Sequence, residues 1–298
     1  MGPLTRRQAL GVAAALSSAA SAASPPATRP DVGPRFGLGL VTYNTAAKWN
    51  LDTILRACRA AEIGAVEFRT THAHGVEPAL DADQRAAVRK KCADAGLVIW
   101  GCGTTCEFHA ADPDVVRKNV DECRRFAELV RDLGGKGVKV RPNGLVPGKS
   151  VAESCRQIGA ALRECGRDAA ALGVEIWVEV HGPQTQKPAL MHSIMRECDH
   201  PNVGITWNSN PSDVAGGSVA TAFELLRPWL RSCHINDLYK NRTGGYPYRE
   251  LFRLLRKSGY DRWTLIEIGR TPPDADSGIE LLKYYRALWG ELAGETAK

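Results

Sequence analysis

Ionisable side chains recur at fixed places along this chain, each behind a short apolar run. Glu67 and Arg69 stand two residues apart, with His72 and His74 close behind. Glu107 and His109 follow a Thr-Thr-Cys string. Lys139 and Arg141, Glu179 and His181, and His234 and Asn236 repeat the two-residue spacing, while Asn208 and Glu267 close two further runs. Residues two apart on a β-strand share a face. If each run is a strand with that face inward, carboxylates, imidazoles and cations collect in one place. Burying them singly would be costly. A divalent ion held by carboxylate and imidazole would offset the cost, and Mn, Mg, Co or Zn suits such ligands. One Glu at a strand end is ordinarily a salt-bridge partner, and one His ordinarily a hydrogen-bonded structural residue. Repetition over five or more runs points instead to an active site.

The elements that must hold these residues are legible. The runs Phe36–Tyr43, Ala65–Arg69, Leu97–Gly101, Gly137–Arg141, Val174–Val180, Val203–Trp207, Ser232–Ile235 and Trp263–Ile268 have the length and composition of strands buried on both faces. Amphipathic helical patterns lie between them: Leu51–Ala61, Asp81–Ala95, Val115–Leu133, Val151–Leu172, Lys187–Glu197, Val219–Leu226, Tyr248–Lys257 and Gly278–Leu292. Several end at glycine, a common helix stop. Eight β-then-α units select an α/β fold, a single-domain (β/α)8 TIM barrel over residues 35–293. An open doubly wound sheet would ordinarily carry a glycine-rich phosphate turn after its first strand, and Thr42–Tyr43–Asn44–Thr45 is no such turn. In a barrel, chemistry sits at the C-terminal strand ends, where the ionisable residues fall.

The strings Val-Glu-Phe-Arg-Thr-Thr-His-Ala-His-Gly at 66–75, Val-Glu-Val-His-Gly at 178–182, Cys-His-Ile-Asn-Asp at 233–237 and Leu-Ile-Glu-Ile at 265–268 resemble the xylose isomerase-like TIM-barrel superfamily over residues 36–290. That superfamily includes sugar-phosphate isomerases and epimerases, ketose 3-epimerases and endonuclease IV. The resemblance implies one divalent metal held by Glu179, Asn208, His234 and Glu267. Asn208 stands where the epimerases have Asp. It offers an amide oxygen but no negative charge, so weaker binding, a different ion or a metal-free site is expected, with Asp213 near enough in sequence to compensate. The implied reaction is isomerisation or epimerisation of a carbohydrate by proton transfer through an enediolate. Glu179 and Glu267 are the implied catalytic acid/base pair. His181, Arg141, Lys139, Arg69, His72, Glu107 and Asn236 are candidates for holding substrate, and Trp49, Phe108 and Trp207 for an apolar wall. Elimination from an oxidised (3-keto) glycoside begins with the same proton abstraction. A non-catalytic sugar-binding barrel is the reading that Asn208 keeps open. An endonuclease IV-like nuclease is the remaining branch, and it needs a basic groove.

The net charge of +6, or +4 without Arg6 and Arg7, argues against nucleic acid. Thr5–Arg6–Arg7–Gln8–Ala9–Leu10 resembles the twin-arginine export motif, and an Ala-rich run ending in Ala20–Ser21–Ala22 supplies a small-x-small cleavage pattern. Residues 1–23 therefore read as a signal peptide and 24–34 as a Pro-rich leader. The mature protein is expected outside the cytoplasm, without stable membrane insertion, acting on a free sugar or glycoside, and a homo-oligomer is compatible with it. Nine cysteines, an odd number spread through a large domain, do not make a disulfide framework. Cys102 and Cys106 are close enough in sequence to pair or bind metal.

Overall fold

The computed structural model describes residues 35–294. The twin-arginine motif, the cleavage pattern and the Pro-rich leader lie outside them. Eight parallel strands, β1 (Gly37–Val41), β2 (Ala65–Arg69), β3 (Val98–Gly103), β4 (Gly137–Val140), β5 (Glu175–Glu179), β6 (Val203–Trp207), β7 (Leu230–Ile235) and β8 (Trp263–Ile266), close in chain order into a barrel. The seam pairs β1 with β8, with Leu38 opposite Thr264. Around it run α1 (Leu51–Ala60), α2 (Ala82–Asp94), α3 (Pro113–Leu133), α4 (Val151–Ala170), α5 (Pro188–Cys198), α6 (Ala220–Leu226), α7 (Lys240–Thr243), α8 (Tyr248–Ser258) and α9 (Ala275–Ala293). No described helix is long and apolar enough to cross a membrane.

Local chemistry explains the boundaries. Asp112 caps α3, Pro113 occupies its first turn, and Gly134 stops it at φ 72°. Ser150 and Glu153 form a capping box at α4, as Asp81 and Gln84 do at α2. α9 begins at Ala275, three residues before the expected start, because Asp274 caps it through the Ser277 N–H. The four-residue α7 has no periodic pattern to announce it. β4 and β8 end one and two residues sooner than expected, so Arg141 and Glu267 lie just beyond their strands.

Aromatic rings fill the middle of the barrel. Trp100 and Trp177 stack with centroids 4.8 Å apart and planes 21° from parallel. They cluster with Val41, Ala65 and Leu265, and Trp263 packs alongside. Trp100 Nε1 donates to Ser232 Oγ at 3.1 Å. The rings fit because glycine stands opposite. A Cβ at Gly137 would overlap the Trp177 indole, and one at Gly37 or Gly64 would meet Trp263. Val66 pairs with Ile99 and Glu67 with Gly101, so Trp100 is an extra residue in β3, a bulge. Ala65, Trp177, Ser232 and Leu265 each precede a polar residue of the same face by two positions. The aromatic layer is therefore the floor of the charged one.

All nine cysteines are free and buried, Cys102 and Cys106 included. Burial pushes the Cys58 and Cys106 thiols up to about 12. They pack as small hydrophobes.

Gly137→Ala should destabilise the barrel by about 1–3 kcal/mol, the usual cost of overpacking. Gly269→Ala, where nothing lies within 4 Å of a new Cβ, should leave the melting midpoint nearly unchanged. Thermal melts of both variants check the contrast.

Candidate functional site

Above the aromatic floor lies a layer of buried charge. Glu67 lies on β2 below Arg69, Lys139 lies on β4, Glu179 ends β5, His234 lies on β7, and Glu267 follows β8. Glu67 and His234 are wholly buried, while the Lys139 and Glu179 side chains are 2% and 4% exposed. Lys139 Nζ donates to Glu179 Oε2 at 2.7 Å. His234 stands between carboxylates: Nε2 is 3.2 Å from Glu67 Oε2, and Nδ1 is 3.1 Å from Glu267 Oε2 and 3.9 Å from Glu179 Oε1. Burial alone would lower the His234 pKa. The charges and hydrogen bonds of Glu267 and Glu67 overcome it and raise it well above the ordinary value. Burial pushes the Glu179 carboxyl up, but Lys139, His234 and His181 prevail and hold it below the carboxylate range.

Ligand atoms of Glu179, His234 and Glu267 lie within 4.8 Å of one another. Asn208 lines the same cavity, and its buried Oδ1 has no hydrogen-bond partner. One imidazole nitrogen, two carboxylates and an orphaned amide oxygen suit a divalent ion with mixed nitrogen and oxygen ligands. Glu67, engaged at Nε2, would fix the ring so that Nδ1 faces the ligand group, as outer carboxylates do for metal-bound histidines.

The cavity above these groups has a volume of about 190 Å³. Arg69, Lys139, Arg141, His181, Asn208 and Asn236 line it with Glu179 and Glu267. Arg141 is pinned by Glu107, with Nε and Nη2 at 2.9 and 2.8 Å from Oε1. Asn143 Nδ2 donates to the same oxygen at 2.8 Å. That leaves Asn143 Oδ1 as the acceptor for His181 Nδ1, 3.0 Å away, so Nδ1 carries a proton and Nε2 is free of this network. Asn236 Nδ2 donates to the Asn208 carbonyl at 3.1 Å, tying the ends of β6 and β7.

The structure thus brings together nine of the residues singled out from sequence, eight lining the cavity and His234 in the ligand group beneath it. His72 and Glu107 are not among those lining the cavity. His72 stacks on Tyr43 at 6.3 Å, and Glu107 acts through Arg141. Trp49, Phe108 and Trp207 belong to the core rather than to an apolar wall. The aromatic ring at the mouth is Tyr43, 40% exposed at the end of β1. The sequence places Glu67 among the chemistry-bearing residues without a role at the site, and it does not single out Asn143. The two-residue spacing of Glu67 from Arg69 carried a signal for the first, whereas Asn143 sits in a loop at φ 56° with no pattern to mark it.

A family model described as a xylose isomerase-like TIM barrel matches residues 55–285. No curated protein sequence matches the chain. Among solved structures, an L-ribulose 3-epimerase is similar, with a TM-score of 0.72 at 18% identity, covering 87% of this chain and 95% of that one. The 3-keto-D-glucoside 4-epimerase YcjR from E. coli gives 0.69 at 17%, covering 87% and 99%. The IOLI protein with a bound zinc atom gives 0.72 at 17%, covering 88% and 100%. At such identities the likeness is one of fold.

Asp213 does not join the ligand group. Its Oδ2 accepts from Asn210 N at 2.8 Å and from the Tyr246 hydroxyl at 2.9 Å, and that hydroxyl accepts from Trp207 Nε1. Burial pushes its pKa from 3.8 to about 7, against the two hydrogen bonds. The folded protein therefore favours the protonated form. The resulting stability is complete below about pH 4 and is lost as pH rises through about 7. The gap corresponds to on the order of 4 kcal/mol. Asp213→Asn should remove this slope, so the variant's melting midpoint should gain on the wild type between pH 5 and 8. Melts across that range read it directly.

Proposed function

We propose, for a chain that belongs to the xylose isomerase-like TIM barrel family, that it is a carbohydrate isomerase or epimerase working by metal-assisted proton transfer. The observation that carries this reading is the convergence of Glu179, His234 and Glu267 beside the unpartnered Asn208 oxygen. These four residues would hold one divalent ion. When bound, such an ion supplies Lewis-acid polarisation of adjacent carbonyl and hydroxyl oxygens, acidifying the carbon-bound proton between them.

The chain's own residues do the rest. Glu179 and Glu267 exchange the substrate proton. Lys139 keeps Glu179 ionised and fixed, so the carboxylate is ready as an acceptor at neutral pH. His181 and Arg141, oriented from behind by Asn143 and Glu107, hold substrate oxygens. The indole floor keeps the site closed from below, where a dry surrounding strengthens each electrostatic contact. The proposal includes export by the 1–23 signal peptide and therefore a sugar or glycoside without phosphate.

Asn208 favours a second reading, a sugar-binding barrel without turnover, because it removes one charge from the ligand set. Two measurements separate them. Chelator-treated protein titrated with Mn2+, Co2+, Zn2+ and Mg2+ by calorimetry should bind one of them near stoichiometry, and Glu179→Ala should abolish that binding. Failure of all four ions would remove the metal-assisted mechanism. Glu267→Gln should lower turnover by about 10²-fold or more while sparing ligand affinity. A variant that retained turnover would end the acid/base role.

A further inference from the structure

Each charged side chain lining the cavity, save one, is answered by an opposite charge. Lys139 holds Glu179, Glu107 holds Arg141, and His234 holds Glu267. Arg69 has no acidic partner among the described residues. Its Nη1 donates to the Thr70 carbonyl at 3.2 Å, and Cζ lies 6.0 Å from the Tyr43 ring centroid. Its other guanidinium donors meet no acceptor. The side chain is half-buried and lines the cavity. Gly103 is its cross-strand partner, and a Cβ there would crowd Glu67 Oε1 at 2.7 Å while only touching the Arg69 stem, 3.4 Å from Cδ.

This arrangement is unfavourable in the free protein. Burial and the neighbouring Arg141 both lower the Arg69 pKa, in spite of Glu179 and Glu267. Those two carboxylates are already engaged by Lys139 and His234. Two guanidiniums therefore share one wall, Arg141 immobilised and Arg69 with a free fork.

We propose that Arg69, with Arg141 beside it, receives the carboxylate of an acidic monosaccharide, so that sugar acids rather than neutral sugars are the substrates of this site. The inference rests on the carbohydrate reading of the cavity. A planar two-oxygen anion matches the guanidinium fork. At about 190 Å³, the cavity is smaller than the roughly 300–1,000 Å³ of sites for drug-sized ligands, which suits a single small sugar.

The test is calorimetric binding to metal-free and Mn2+-loaded protein. The probes are D-glucuronate, D-galacturonate and D-gluconate, each against its neutral counterpart, D-glucose, D-galactose and D-glucitol, with D-glucose 6-phosphate as a further arm. At least one acid should bind about tenfold or more tightly than its neutral counterpart, with affinity falling as salt rises. Arg69→Gln should erase that preference while leaving Mn2+ binding unchanged. Arg69→Lys, which keeps the charge but loses the fork, should retain only part of it. Equal binding of acid and neutral sugars, no binding by any of the three acids, or a preference that survives Arg69→Gln overturns the proposal, as does tighter binding of the phosphate. A guanidinium serving only charge that develops during reaction would leave ground-state binding unmoved, so the measurement excludes that role too. Loss of Mn2+ binding would strike the metal-assisted reading, whereas loss of acid preference alone would strike only this one.

Discussion

Charge buried in a barrel must be neutralised locally, because removing one partner of a buried pair costs several kcal/mol. The mouth of this barrel obeys that constraint through two linked arrangements. Lys139 answers Glu179 on neighbouring strands β4 and β5. His234 answers Glu67 and Glu267 from opposite ring nitrogens. The Nδ1–Glu179 separation of 3.9 Å brings the two together. Replacing one member would leave several others uncompensated, so the residues that could bind metal are also those that let the layer be buried.

Residues behind the cavity orient those that line it. Glu107 and Asn143 contribute no surface to the cavity, yet they set the Arg141 fork and the His181 tautomer. The loop after β6 is fixed in the same manner. Asn210 Nδ2 donates to the Val180 carbonyl and Ser209 Oγ to the His234 carbonyl, which anchors Asn208 between β5 and β7. Among the described residues Arg69 has no comparable acidic restraint.

How far the sequence reveals this architecture follows from the range of each interaction. Strand alternation is local, so Glu179 with His181 and His234 with Asn236 could be assigned to one face from spacing alone. The eight-fold alternation of apolar runs and amphipathic segments likewise announced the barrel. The Trp100–Trp177 stack could not be read, because it depends on a bulge and on Gly137 of the strand between the two rings. Glu67 was visible as a partner of Arg69, but its contact with His234 spans 167 residues. Trp207 illustrates the opposite error. An aromatic ring at a strand end looks like a binding surface until Tyr246 is found holding its indole from inside the core.

The stacked indoles beneath the charged layer also give the molecule an optical character. Trp177 lies one pleat below Glu179, and Trp100 is hydrogen-bonded to Ser232, one pleat below His234. Near-ultraviolet dichroism arises from aromatic rings held in fixed, asymmetric surroundings and vanishes when tertiary packing loosens. This pair is both fixed and centrally placed. With the other buried indoles it makes the near-ultraviolet signal a built-in reporter of whether the barrel interior is ordered, recorded without a label and without a substrate.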